Sequence, residues 1–94
     1  MTTYVLVAYD ISDNWRRLEA AERLKGMGFV RLQRSLYIAR GGAALAKDAY
    51  RALMRVIDRS TDSVFVAVVP GESFEKALIH GLHSSVGEEK SRVL

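Results

Sequence analysis

The sequence has no cysteine, which excludes a disulfide framework, a thiolate metal site and thiol chemistry. It has a single proline, Pro70, and neither repeats nor low-complexity segments. No apolar run approaches the roughly 18 residues that span a bilayer, and no basic region leads into an apolar signal core at the N-terminus. A soluble cytoplasmic protein with no membrane partner is therefore expected. The chain is also short: 94 residues hold one hydrophobic core, with no room for a second domain or a large enclosed catalytic pocket. No Ser-His-Asp arrangement, P-loop or dinucleotide fingerprint is present. His80 and His83 stand in H-x-x-H spacing with no third ligand in reach, which is too few for a zinc site.

What is there is apolar and arginine-rich. Apolar residues make up 49% of the chain. A domain this small leaves much of its surface open, so part of that apolar surface is expected to be covered by a partner subunit. The net charge is +3, and ten of the fourteen basic residues are Arg. Arginine offers a planar fork of donors that suits phosphate better than the hydrated point charge of lysine. That bias fits a nucleic-acid footprint and fits an arginine-rich solvated surface equally. Residues 1–70 carry eleven basic and seven acidic side chains, whereas 71–94 carry three and four, so an anion-binding face belongs on the main body.

Thr3 to Tyr9 is a nearly unbroken apolar run, as expected of a central strand covered on both sides. Ser12 or Asp13 can cap the helix that follows, over about 14–26, with Leu18, Ala21 and Leu24 towards its inner face. Gly26 and Gly28 supply left-handed residues that stop it. From Phe29 the period changes to two, with Val30, Leu32, Leu36 and Ile38 on one parity and Arg31, Gln33, Ser35 and Tyr37 on the other. This predicts two short strands, 29–33 and 35–40, with one polar face and a tight turn near Arg34. Leu45, Ala49, Ala52, Leu53 and Val56 predict an amphipathic helix over 43–58. Val64 to Val69 is a second apolar run fit for a central strand.

The order strand, helix, strand, strand, helix, strand predicts an α+β, ferredoxin-like βαββαβ domain over 1–70 with a four-stranded antiparallel sheet and both helices on one face. Right-handed crossovers then place the first and last strands side by side in the middle. Residues 71–94 form a C-terminal tail. Phe74, Leu78 and Leu82 could line a short helix, and Ala77–Ile79 and Arg92–Leu94 could be brief strands. The preferred reading is that part of the tail adds a strand across a dimer.

Asp10 follows directly on the first apolar run, and the carboxyl ends of buried strands are where open α/β sheets place ligands. It reads either as a Mg²⁺ or Mn²⁺ ligand or as a turn residue grouped with Ser12, Asp13 and Asn14. One carboxylate is a poor metal site. A two-fold axis bringing Asp10 from two subunits to one ion would complete it, the ion lowering the pKa of a water for attack on a phosphodiester. Arg16 and Arg17 are placed near Asp10 for phosphate. Lys47, Arg51, Arg55 and Arg59 repeat every four residues as a basic stripe, which a duplex backbone could use and which a solvated helix face also explains. Tyr4, Tyr9, Trp15 and Tyr37 could stack on bases, although aromatics in such positions are more often core. Glu19 and Glu22 beside Arg23 read as solvated ion pairing.

The segments YVLVAYDIS with Asn14, Arg16, Arg17 and Leu18, then FVRLQRSLYIAR, then DSVFVAVV, together resemble the CRISPR-associated protein 2 family over residues 3–69. The resemblance implies a ferredoxin-like homodimer that binds nucleic acid, RNA or DNA. Asp10 would stand at the family's aspartate for a divalent metal, Mg²⁺ or Mn²⁺, shared between two subunits, and would carry metal-dependent endonuclease activity. Tyr9, Arg16, Arg17, Arg31 and Tyr37 match polar and aromatic positions near that site, Tyr37 standing where members often have Phe. The resemblance also implies a partnership with the CRISPR-associated protein 1 integrase, in which the dimer would be a non-catalytic scaffold that bridges integrase subunits and holds duplex DNA. A regulatory or toxin-like dimer on the same fold is a further class.

Overall fold

The computed structural model describes residues 2–81. Strand β1 spans Thr3–Asp10, helix α1 Asn14–Gly26, strands β2 and β3 Val30–Gln33 and Leu36–Arg40, helix α2 Ala43–Met54, strand β4 Ser63–Pro70, and a short helix α3 Gly71–Glu75. The two ends of α1 have local causes. The Asp13 side chain caps α1 by accepting from the Arg16 N–H at 2.9 Å. Gly28, at φ 93°, lets the chain turn left-handed so that Phe29 N–H bonds back to Leu24 O at 3.0 Å. Gly26, by contrast, is the last residue of α1 and not left-handed. The turn between β2 and β3 falls at Arg34–Ser35, where the break in parity predicts it, and the pairing of β2 is irregular between Arg31 and Gln33.

The sheet order is β2-β3-β1-β4, and every neighbouring pair is antiparallel. The first and last strands are neighbours over all eight residues of β1, Thr3 opposite Pro70 through Asp10 opposite Ser63. Only β1 of the two is central, however. Each strand–helix–strand crossover steps over one strand, so β1 and β3 form the middle and the apolar run of β4 lies at an edge. Phe65 and Val68 are accordingly 60% and 43% exposed.

Odd positions of β1 face the two long helices. Val5, Val7 and Tyr9 pack there with Ala20, Ala21 and Leu24 of α1, Ala49 and Leu53 of α2, and Tyr37 and Ala39 of β3. Burying Leu24 and Leu53 completely stabilises the fold by about 1.5–3 kcal/mol each. The parity of β3 that reads as polar is therefore core on this side: Tyr37 is fully buried, because its ring, not its hydroxyl, decides its place. Leu18 is 52% exposed. The buried set Ala20, Ala21 and Leu24 centres the inner face of α1 well away from Leu18 at 100° per residue. Helix α2 stops at Met54, four residues short of the predicted end, and Val56 is buried from the turn that follows.

On the opposite face, Tyr4, Leu32 and Ile38 meet Phe74 of α3, whose ring lies 5.3 Å from that of Tyr4. Residues 71–75 thus fold back on the sheet. Ala77–Ile79 form no strand in the single chain. Leu82, His83 and the brief strand expected at Arg92–Leu94 lie outside the described residues.

Candidate active site

Asp10 ends β1 and is exposed. The pairing of β3 with β1 sets Ala8 opposite Leu36, and Tyr9 N–H donates to Ser35 O at 3.1 Å. This carries the Arg34–Ser35 turn to the end of β1. Asp10, Ile11, Arg17, Arg34 and Ser35 together line an open, polar pocket of about 450 Å³. Arg17 is held there by donating from Nη1 to Ile11 O at 2.7 Å. No ion pair joins Asp10 to Arg17 or Arg34 among the described residues. Beyond the Arg17 Nη1 bond to Ile11 O, the two guanidinium groups make no side-chain hydrogen bond among the described residues.

The described residues contain no group of three His, Cys, Asp or Glu that could hold a metal ion. Among the described residues, Asp10 is the one carboxylate that lines this pocket. An exposed carboxylate is nevertheless the hard oxygen donor that suits Mg²⁺ or Mn²⁺, since such ions are commonly held by one or two carboxylates with water and substrate phosphate completing the shell. The donor chemistry of Asp10 fits one ligand position of a divalent cation, and the described residues supply no second carboxylate in this pocket.

Arg16 and Arg17 part ways. Arg16 turns to Asp62, donating from Nε to Oδ2 at 3.0 Å and from Nη2 to Ser12 Oγ at 3.3 Å. The Asp62 carboxylate is wholly covered. It also accepts from the backbone N–H of Ser12 at 3.1 Å and of Asp58 at 2.9 Å, and from Thr61 Oγ1 at 3.0 Å. The Arg16 guanidinium, with these donors, holds its carboxyl well below the usual carboxylate range. Asp62 therefore ties the β1–α1 loop to the turn before β4, directly beside the Asp10–Ser63 pair. Its position two residues from an apolar run was the only sequence signal for this.

Tyr9, Tyr37 and Arg31 are brought together, but on the helix side of the sheet. Tyr9 OH donates to Tyr37 OH at 3.4 Å, and Arg31 Nε donates to Tyr37 OH at 2.9 Å while the guanidinium lies 5.5 Å from the Tyr37 ring centroid. Burial pushes the Tyr9 phenol up, with the Tyr37 hydroxyl adding to the shift. Tyr9 and Tyr37 have only 7% and 0% exposure, so in the single chain neither presents a ring face to a base. Trp15, by contrast, is 78% exposed. Arg34 escapes sequence reasoning as a site residue, although its intrusion into the alternating pattern of the hairpin marks it. Glu19 and Arg23 form the exposed i,i+4 ion pair their spacing suggests, at 3.0 Å.

A family model described as CRISPR associated protein Cas2 matches residues 1–77. A protein of Aeropyrum pernix named CRISPR-associated endoribonuclease Cas2 is 50% identical over 91 residues, 97% of each chain. A Thermoproteus tenax protein named CRISPR-associated endonuclease Cas1/endonuclease Cas2 fusion is 32% identical over 75 residues, 80% of this chain and 28% of that one. Among solved structures, Streptococcus pyogenes Cas2 superposes with a TM-score of 0.71 at 23% identity, covering 83% of this chain and 99% of the other.

Proposed function

The chain belongs to the CRISPR associated protein Cas2 family, and from that premise we propose that it is a homodimeric, divalent-metal-dependent endonuclease that cleaves nucleic-acid phosphodiesters through Asp10. The observation that carries this reading is the pocket at the end of β1, where an exposed carboxylate sits with Arg17 and Arg34. The name of the Aeropyrum relative, endoribonuclease, supports RNA as a substrate.

The Asp10 residues of the two subunits would together hold one Mg²⁺ or Mn²⁺. When bound, the cation offsets phosphate charge and acidifies water. The chain itself supplies orientation. Arg17, anchored on Ile11 O, and Arg34, on a two-residue turn, offer donor forks to the non-bridging phosphate oxygens on either side of the carboxylate.

Dimerisation is supported by the sheet face opposite the long helices. There the register places Leu6, Ala8 and Leu36 with Phe65 and Ala67 on one side of the sheet, and Phe65 is largely exposed. An apolar face beside an uncovered edge strand is normally shielded. A second copy would cover it and bring a second Asp10 to the same end.

The fused Thermoproteus relative favours a second reading, a scaffold that works with a Cas1 integrase and holds duplex DNA, for which the arginines suffice and hydrolysis is not needed. Nuclease assays on single- and double-stranded RNA and DNA, with Mg²⁺ or with chelator, separate the two. Wild type should cleave only with the metal, and Asp10→Ala and Asp10→Asn should lose roughly 10²-fold or more of the rate while binding persists. Cleavage undiminished in both variants would overturn the catalytic assignment. Salt-dependent duplex binding without cleavage of any substrate would leave the scaffold.

A further inference from the structure

Beyond the Asp10 pocket, the outer side of α2 carries a second anion-binding feature. Arg51 and Arg55 lie one helical repeat apart, about 6 Å along the axis. Although the helix ends at Met54, the turn that follows keeps Arg59 beside them. Tyr50, Arg51, Met54, Arg55 and Arg59 line one open groove of about 420 Å³. None of Lys47, Arg51, Arg55 and Arg59 has an ion pair or side-chain hydrogen bond among the described residues. The nearby acid Asp58 is occupied instead, accepting from Ser60 N–H at 2.9 Å and Ser60 Oγ at 2.6 Å. Tyr50 is 47% exposed, an aromatic face among uncompensated cations. Uncompensated guanidinium groups around an exposed ring are the elements of a single-strand site, where phosphates meet cations and a base stacks.

From the groove the chain runs on through the 58–62 turn to the Asp10 end of the molecule. Arg59 precedes Ser63 by four residues, and Ser63 is paired with Asp10. The intervening turn is tied to the start of α1 through Asp62, Ser12 and Arg16. We propose that the groove of Tyr50, Arg51, Met54, Arg55 and Arg59 binds a single strand of nucleic acid, phosphates on the arginines and a base on Tyr50, and leads that strand over the 58–62 turn to the Asp10 pocket. This rests on the nucleic-acid reading of that pocket.

The test is fluorescence anisotropy with labelled single-stranded RNA and DNA of one sequence, from 50 to 200 mM salt. Arg51→Ala/Arg55→Ala/Arg59→Ala should weaken binding roughly tenfold or more and lower the salt slope by about 2, at about 0.7 per phosphate contact. The corresponding triple Lys variant should keep the wild-type slope. Tyr50→Ala should weaken binding roughly tenfold with the slope unchanged. RNA and DNA arms show which strand the groove prefers, and a loss in either supports it. Wild-type affinity and slope in the Ala triple and in Tyr50→Ala, with binding weakened in Arg17→Ala/Arg34→Ala, would overturn the groove and leave the pocket standing. A Lys triple with the slope of the Ala triple would trace the loss to damaged folding and also overturn it. Wild type that binds no single strand would overturn both.

Discussion

Arg16 Nε lies 3.0 Å from Asp62 Oδ2 across 46 positions of sequence, so the arginine that adjoins Arg17 in the chain serves the opposite purpose. Arg17 lines the pocket beside Asp10. Arg16 neutralises a covered carboxylate and fixes the two loops that flank that pocket. Two neighbouring arginines on one helix thus divide, one lining a pocket and the other tying two loops together, because residues adjacent in a helix point about 100° apart.

The Asp62 carboxyl is depressed in the folded state, so the stability it confers is present above the ordinary carboxylate range near 4 and is lost as pH falls through the folded value. Wild type should therefore show a falling Tm as pH drops from about 4 towards 2. Asp62→Asn should melt lower at neutral pH and show a shallower acid limb. Circular dichroism melts across pH measure both, and parallel acid limbs would detach Asp62 from acid stability.

Salt dependence separates the two arginines of α1. Arg17→Ala/Arg34→Ala should lower the slope for a single strand by about 1.4, two contacts at about 0.7 each. Arg16→Ala should lower Tm while leaving the slope close to wild type. An Arg16→Ala variant of wild-type stability and reduced slope would place its guanidinium on the phosphate.

The Tyr37 hydroxyl accepts from both Arg31 and Tyr9, and Tyr37→Phe keeps the ring while removing that acceptor. The substitution should cost about 1 kcal/mol, a Tm fall of about 4–8 °C for a domain of this size, since Tyr9 OH is left without its acceptor in the core. Metal-dependent cleavage per folded molecule should be unchanged. A selective loss of cleavage at wild-type Tm would move Tyr37 into the site.

Phe65 stands two positions along β4 from the residue paired with Asp10. Phe65→Lys should shift the protein from dimer to monomer in light scattering after size-exclusion chromatography. Cleavage should fall with it, because each monomer retains one Asp10. A Phe65→Lys dimer would rule out this face as the interface.

Much of the fold is legible from short-range pattern. The apolar run before Asp10, a cap at Ser12 or Asp13, a stop at Gly26 or Gly28 and a turn near Arg34 each follow from a few neighbouring residues, and the structure selects Asp13, Gly28 and Arg34–Ser35. The β4 run reads as central because period and composition report only how apolar a strand is. They do not report whether its neighbour is a helix, another strand or a surface awaiting a partner. For the same reason parity sets Tyr37 on the polar face although its ring belongs to the core, and Trp15, an aromatic of a kind more often core, is exposed.

By itself the sequence determined the order of elements, the position of Asp10 at a strand end and the excess of arginine over lysine, since each is set by residues close together in the chain. Only the tertiary structure decided that Arg34 lines one pocket with Asp10, that Arg16 belongs to Asp62 and that Arg59 stays with Arg51 and Arg55. Those meetings depend on strand register and loop closure between distant segments, where a one-residue slip turns a side chain to the other face of the sheet.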